Sequence, residues 1–187
     1  RKMVSPFVKD KNCGAVAGNI RVLNTEAAFI PKMLDVSFAL SFEFIRAAQS
    51  KLNAVLCTPG ALAAYRRDAV FASLEDWINQ KFMGKPSDIG EDRAMTNMIL
   101  KQGRNVLFQR DAYAYTNVPE SYKGLYKMFI RWSRSNVRET IAMAKYVFTD
   151  FRNESKVGPR LLFTSQALTL LLSYPFTLFM LYFILSH

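Results

Sequence analysis

The sequence predicts a mixed α/β domain that leads through basic amphipathic helices into one membrane-spanning helix. Three observations support this prediction. Strand-like and helix-like patterns alternate over residues 1–120, basic and apolar side chains separate onto opposite helical faces within residues 121–160, and residues 161–187 hold a long apolar run. Alternating strands and helices are typical of α/β domains, in which helices cover a sheet.

Short apolar and β-branched runs predict the strands of the first zone. We expect two strand pairs, 13–17 with 20–23 and 105–109 with 112–115, and a short buried strand at 54–58.

Two helical patterns lie between these runs. Residues 27–52 carry a long one, with Phe38, Phe42 and Ile45 near one face. A second helix is expected over about residues 91–102, with Gly103 as the glycine that follows its last turn.

The second zone, residues 121–160, begins with an amphipathic helix over residues 121–150. Its apolar side chains are Leu125, Met128, Phe129, Trp132, Met143 and Val147, and its basic ones are Lys123, Lys127, Arg131, Arg134, Arg138 and Lys145. A basic amphipathic helix beside a membrane span is expected to lie in the membrane interface. An ordinary surface helix with a solvated charged face gives the same pattern. Glu139 lies on the apolar side, which a simple membrane stripe does not explain.

The last zone contains 25 residues without a charge, residues 161–185. As a helix they would extend roughly 38 Å at about 1.5 Å per residue, enough to cross a hydrocarbon core of about 30 Å. A buried core helix is the alternative. Pro175 is expected to kink the helix without ending it, because neighbouring helices can satisfy the freed backbone groups. Arg152, Lys156 and Arg160 precede the run and place that side in the cytoplasm.

Composition excludes several kinds of site. The only histidine is His187, so Ser-His-Asp catalysis, Cys-His catalysis and Cys/His zinc sites are excluded. Cys13 and Cys57 stand far apart in apolar runs, as expected of buried thiols in a reducing compartment. The net charge of +10 indicates an acidic partner: nucleic acid, anionic lipid or a phosphorylated substrate. Nucleic acid does not account for the apolar run, so we expect no nucleic-acid partner.

Two clusters of residues could support chemistry in the α/β zone. Glu91, Asp92 and Arg93 follow Gly90 at a predicted helix start, where acids complement the helix dipole and an ionised carboxylate could also act as a general base. In the segment TPGALAAYRR at residues 58–67, a buried strand runs into Pro-Gly, where backbone can approach a ligand closely, and then into a helix. A plain strand-turn-helix connection fits this segment equally well.

A third cluster lies in the amphipathic helix, in the segment RWSRS at residues 131–135. Arginine can form paired hydrogen bonds to a diphosphate, and an indole face can stack on a sugar ring. A membrane anchor is the alternative for a cation beside an aromatic side chain.

Taken in order, these segments resemble the processive family 2 glycosyltransferases, namely hyaluronan, chitin and chitooligosaccharide synthases and, more distantly, cellulose synthases. The resemblance rests on TPGALAAYRR at 58–67, GEDRxxT at 90–96, VPE at 118–120 and RWSRS at 131–135. The opening CGAVAGNIRVLN at 13–24 is similar to the strand pair that follows the metal-binding DxD of those enzymes. Together the segments cover nearly the whole chain.

The resemblance implies the acceptor-side half of a GT-A-like catalytic domain (1–120), interface helices with the RW motif (121–160) and a transmembrane helix (161–187). It implies an inverting transfer from a UDP-sugar to a growing β-linked polysaccharide, with Mg²⁺ or Mn²⁺ as cofactor, on the cytoplasmic face of a multi-pass protein of the plasma or inner membrane. Asp92 matches the general base. The residues that match donor or acceptor contacts are Thr58, Pro59, Gly60, Glu91, Arg93, Arg131, Trp132 and Arg134.

Two departures from the family pattern leave an alternative open. Met128 occupies the glutamine position of the QxxRW motif, and a thioether cannot replace the hydrogen bonds of an amide. The chain contains no DxD, so we expect the metal site upstream of Arg1. A catalytically silent membrane subunit or scaffold with the same fold is therefore the second hypothesis.

Overall fold

Five strands form two sheets in the structure, a computed structural model that describes residues 1–87 and 89–186. The strands are β1 (Cys13–Val22), β2 (Ala63–Tyr65), β3 (Lys81–Phe82), β4 (Lys85–Pro86) and β5 (Asn105–Thr116). The central sheet has the order β2-β1-β5, with β1 parallel to β5 and antiparallel to β2. β3 and β4 form a separate antiparallel hairpin.

Within the described residues, seven α-helices surround and extend this sheet. They are α1 (Ser5–Lys9), α2 (Phe29–Ala39), α3 (Ala47–Lys51), α4 (Arg67–Ile78), α5 (Glu91–Lys101), α6 (Tyr122–Ala144) and α7 (Val157–Ser186). A π-helical segment, Leu40–Arg46, joins α2 to α3. The predicted mixed α/β class is confirmed, and the fold is consistent with a GT-A-like fragment.

The predicted strand pairs are wrong, because each is one continuous strand. β1 and β5 change register between Gly18 and Asn19, where Gln109 pairs with Gly18 and Tyr113 pairs with Asn19. The intervening residues 110–112 therefore form a bulge, which interrupts the apolar pattern without ending the strand.

The predicted strand at 54–58 is also wrong, since only Ala54 forms a bridge, to Val106 of β5. The segment is buried, but side chains satisfy part of its backbone. Leu56 N–H donates to Gln49 Oε1, and Thr58 N–H donates to Thr96 Oγ1. A ladder to a neighbouring strand is therefore not needed to bury these amides.

The helix expected directly after Gly60 begins later. A turn leads from Gly60 into β2, and the helix α4 starts only at Arg67. The backbone amide of Gly18 in β1 donates to the Leu62 carbonyl, so the residue before β2 continues the pairing of β2 with β1.

The long helix expected at 27–52 is confirmed as the continuous run from α2 to α3. Phe38 and Phe42 are buried, but Ile45 is 55% exposed. The π-helical segment explains this difference, because a wider turn shifts the helical phase of the residues that follow. The end of α5 is as predicted, with Gly103 at φ +81° directly after the C-cap residue Gln102.

The amphipathic helix α6 ends at Ala144, short of residue 150. Arg138, assigned to the basic face, is 8% exposed and lies inside the protein, as does Glu139. Cys13 is buried and Cys57 is half-buried, and both thiols are free. Burial raises the pKa of the Cys13 thiol to about 12.

Among the described residues, α7 is the one helix long and apolar enough to cross a membrane by length and composition. It is continuous through Pro175 and begins four residues before the uncharged run. Its first turns are packed against the domain, with Gly158, Pro159 and Phe163 buried, whereas the later residues are exposed. His187 lies outside the described residues.

Candidate active site

Asp92 lies in the first turn of α5, where the positive end of the helix dipole favours a negative charge. Its Oδ2 accepts a hydrogen bond from Gly60 N–H at 3.0 Å, and its Oδ1 accepts one from Arg93 N–H at 2.7 Å. An ionised carboxylate can accept about four hydrogen bonds. Two acceptor positions therefore remain for a substrate hydroxyl.

A chain of hydroxyl groups fixes the loop that brings Gly60 to Asp92. Thr96 Oγ1 donates to the Asp92 carbonyl at 2.7 Å, so it accepts from Thr58 Oγ1 at 2.6 Å and from Thr58 N–H at 3.0 Å. Tyr65 Oη must then donate to Thr58 Oγ1, at 2.9 Å. Burial raises the pKa of Tyr65 to about 12, so this donor stays protonated at neutral pH.

Arg46, at the end of the π-helical segment, supports the same loop from behind. Its Nε donates to the Cys57 carbonyl at 3.3 Å and its Nη1 donates to Ser41 Oγ at 2.6 Å. The guanidinium lies 4.0 Å from the centre of the Phe42 ring, and burial lowers the pKa of Arg46. No motif of the sequence pointed to Arg46, although a cation within an apolar helical pattern is a signal of a buried polar contact.

The other predicted residues of this corner differ in burial. Gly60 and Glu91 are exposed, whereas Pro59 and Arg93 are half-buried. The Glu91 carbonyl accepts a hydrogen bond from Trp77 Nε1 at 2.9 Å, so α4 holds the start of α5 through its backbone and leaves the Glu91 carboxylate outside.

The RW segment lies on the exposed side of α6. Trp132 is 42% exposed, and its ring centroid lies 6.1 Å from that of Phe38 and 5.8 Å from that of Phe129. Arg131 and Arg134 are exposed, and no residue of the described part of the chain forms an ion pair or hydrogen bond with either. Arg134 borders a groove of about 500 Å³ between the β3–β4 hairpin, α6 and α7.

No hydrogen bond joins Asp92 to Arg131, Trp132 or Arg134; the two parts of the predicted site are connected through the helices that carry them. Gly90, before α5, has φ +75°, and a Cβ there would lie 2.5 Å from Ser135 Cβ of α6. Arg93 Nη1 donates to Asn136 Oδ1. The structure therefore brings the two helices into close contact beside Asp92.

The described residues do not fit a metal site, because no group of three or more His, Cys, Asp or Glu side chains among them could hold an ion. Asp92 itself accepts backbone N–H groups. What this arrangement offers is a carboxylate with free acceptor positions, a backbone loop beside it, and exposed cations and aromatics on the adjacent helix.

Comparison with known proteins gives a consistent result. Residues 1–135 match the family described as Glycosyltransferase like family 2. An N-acetylglucosaminyltransferase of Rhizobium meliloti (strain 1021) is 38% identical over 133 residues, which are 71% of this chain and 31% of the relative. Another from Neorhizobium galegae is 31% identical over 167 residues, 86% of this chain and 38% of the relative.

A hyaluronan synthase also matches most of this chain over a small part of its own length. Hyaluronan synthase 1 of Xenopus tropicalis is 33% identical over 145 residues, 78% of this chain and 25% of the relative. The chain thus spans between a quarter and two fifths of the length of these three relatives. Because the family match covers well over half of this chain, the chain belongs to glycosyltransferase family 2.

Proposed function

We propose that the chain is the acceptor-side part of a membrane-bound, inverting glycosyltransferase that extends a β-linked polysaccharide from a UDP-sugar. The observation that carries the proposal is Asp92, a carboxylate held at a helix start by the Gly60 and Arg93 amides in a member of this family. Relatives named N-acetylglucosaminyltransferase and hyaluronan synthase support a sugar donor and a sugar-chain acceptor.

In the proposed reaction, Asp92 accepts the proton of the acceptor hydroxyl. The hydroxyl oxygen attacks the anomeric carbon of the donor, the bond from that carbon to the diphosphate oxygen breaks, and UDP leaves with the bonding electrons. The proton then passes from Asp92 to water. The Mg²⁺ or Mn²⁺ ion that the family resemblance implies would be held by carboxylates other than those of residues 1–87 and 89–186.

Two further groups of predicted residues, the loop before α4 and the RW segment of α6, would lie at the substrate. Pro59 and Gly60 would border the acceptor sugar, since their loop lies directly at the Asp92 carboxylate. The predicted contact of Thr58 would be indirect, because Thr58 is fully buried and holds that loop from inside. Arg131 and Arg134 would bind phosphate oxygens, and Trp132 would stack on the sugar. The exposure of these three side chains supports that role, because a ligand can reach them.

We also propose the division into residues 1–120, 121–160 and 161–187, with α7 spanning the membrane and the catalytic part in the cytoplasm. The orientation rests on Arg152, Lys156 and Arg160, and all three cations also have structural partners. Lys156 Nζ lies 2.9 Å from Asp150 Oδ1 in an ion pair. Arg160 donates to the carbonyls of residues 147–149, and the largely buried Arg152 donates to the Ser155 carbonyl.

One observation favours a catalytically silent membrane subunit instead. Met128, at the position of the motif glutamine, is packed against the core cluster that contains Phe38 and Phe42. This side chain serves packing and offers no hydrogen bond to a donor nucleotide.

The test is Asp92→Asn in the full-length protein in membranes, supplied with UDP-sugar. The substitution keeps the shape but replaces one of the two acceptor oxygens by an NH₂ group, so it removes the proton acceptor and one of the two backbone hydrogen bonds. Polymer synthesis should fall by about 10²–10⁴-fold. UDP affinity should stay nearly unchanged. Incorporation of radiolabelled sugar and UDP binding measure the two quantities.

Glu91→Gln is the matched control, because Glu91 is the neighbouring carboxylate and points into solvent. Loss of the Glu91 charge should lower the free energy of unfolding by about 0.3–1 kcal/mol through the helix dipole and leave polymer synthesis largely intact. Equal and modest effects of the two substitutions would return Asp92 to a purely structural role. Absence of sugar transfer by the unsubstituted protein would favour the silent subunit.

A further inference from the structure

A buried ion pair occupies the contact between α5 and α6. Arg138 Nε donates to Glu139 Oε1 at 2.7 Å, with side chains 10% and 8% exposed. The side chains of successive residues usually point away from each other on the surface of a helix. Both side chains are instead turned toward α5, where further polar groups meet them.

Each member of the pair binds a different part of α5. Arg138 Nη2 donates to the Gly90 carbonyl at 3.2 Å, directly before the helix and two residues from Asp92. Glu139 accepts from Asn97 Nδ2 through Oε2 at 3.0 Å and through its own carbonyl at 3.1 Å. Tyr146, just past α6, donates to the Asn97 carbonyl and to Asn97 Oδ1. The start and the second turn of α5 are thus held separately by α6 and the residue just past it.

Stability alone does not explain such a pair. Replacing a buried ion pair by well-packed apolar side chains is often neutral or stabilising, because two charges must be desolvated to form it. Hydrogen bonds do have a strict geometry, and this pair makes them at both the first and the second turn of α5. Apolar contacts in the same place would permit sliding along the helix.

We propose that Arg138 and Glu139 are positioning residues, which fix the register of α5 against α6 and so the place of Asp92 relative to Arg131 and Trp132. This inference rests on the proposed function for its catalytic consequence. The tight approach of Gly90 to Ser135 supports it, since α5 and α6 meet there without room for adjustment. A misplacement of about 1 Å can lower a rate by about 10²-fold.

The experiment compares Arg138→Met, Glu139→Gln and the double variant Arg138→Met/Glu139→Leu in the full-length protein. Single variants leave one buried charge unpaired and should lower the melting temperature. The double variant removes both charges and should recover it. Lys145→Met is the control, because Lys145 is an exposed cation at the end of the same helix.

Four quantities are measured for each variant: the melting temperature, the rate of sugar incorporation, the UDP released per sugar incorporated, and hydrogen exchange of the peptide covering residues 90–97. We expect the double variant to melt near the unsubstituted protein, to incorporate sugar about 10²-fold more slowly, and to release more UDP per sugar incorporated. Its 90–97 amides should exchange faster, because Gly90 has lost the Arg138 guanidinium and Asn97 has lost the Glu139 carboxylate.

Recovery of sugar incorporation together with the melting temperature in the double variant would overturn the proposal and leave the pair a structural one. If the unsubstituted protein transfers no sugar, the proposed function fails, and hydrogen exchange alone decides the register. In that case, unchanged exchange of residues 90–97 in the double variant refutes the positioning role, and faster exchange supports it.

Discussion

The loop-and-helix corner around Asp92 and the outer face of α6 are built in opposite ways. At the corner, the Thr58 and Gly60 amides and the Asp92 carboxylate all have partners within the chain. On α6, Arg131 and Arg134 have neither an ion pair nor a hydrogen bond within residues 1–87 and 89–186.

Under the proposed function, this difference separates the positioning of the base from the binding of the UDP-sugar. A base must stand in one place before the acceptor arrives, and fixed hydrogen bonds supply that order. Side chains that bind a charged UDP-sugar need N–H groups without partners in the protein, and exposed guanidinium groups keep such N–H groups available. The comparison therefore predicts that substitutions at the corner change stability and activity together, whereas those on the outer face of α6 change activity alone.

The largest effect is expected for Gly90→Ala. Alanine at φ +75° is strained, and its Cβ would lie 1.9 Å from Ser135 Oγ. Backbone strain and overpacking together should lower the free energy of unfolding by roughly 2–6 kcal/mol, measured by denaturant titration. Gly84→Ala is the control, since Gly84 also has a positive φ but nothing lies within 4 Å of its Cβ position. Similar losses at the two glycines would mean that the contact between α5 and α6 is loose.

A smaller effect is expected for Thr96→Val, which keeps the shape and removes the hydroxyl. The buried Thr58 N–H would lose its acceptor, at a cost of about 1–3 kcal/mol in the free energy of unfolding. Thr116→Val is the control. Thr116 is the last residue of β5, and its hydroxyl donates a long hydrogen bond of 3.5 Å to the Asn117 carbonyl, so its loss should change the free energy of unfolding little. A Thr96→Val protein as stable as the control would show that the hydroxyl chain does not hold the loop.

The smallest change in stability is expected for Arg131→Met, within about 0.5 kcal/mol because the side chain is exposed. Loss of a charged hydrogen bond should still raise the KM for the UDP-sugar by about 10-fold to 100-fold. Lys127→Met, one turn earlier and also exposed, serves as the control for charge. An unchanged KM would remove Arg131 from the donor site, and a large loss of stability would contradict the comparison itself.

Sequence patterns predicted the features that depend on local chemistry. The end of α5 followed from Gly103, and the helix from α2 to α3 followed from its periodicity. The strand bounds could not be predicted, because the bulge at 110–112 and the side-chain partners of residues 54–58 arise from contacts distant in sequence.

The candidate site divides in the same way. Asp92 and the Gly60 loop were proposed from motifs, and the structure places them in contact. The helical wheel placed Arg138 on the basic face and left Glu139 unexplained on the apolar face. Such a wheel gives the direction of a side chain but not the neighbouring helix, here α5, that lies in that direction. Glu139 on an apolar face was the available signal of a buried polar contact.

The base of α7 has a mechanical consequence. Phe163 is packed in the main core, Gly158 fits where a Cβ would lie 2.8 Å from the Leu52 carbonyl, and Gln166 donates to Thr140 of α6. A joint secured on several sides cannot act as a free hinge. A force applied to α7 would therefore be transmitted to the domain, and the Asp92 corner would move together with the first turns of that helix.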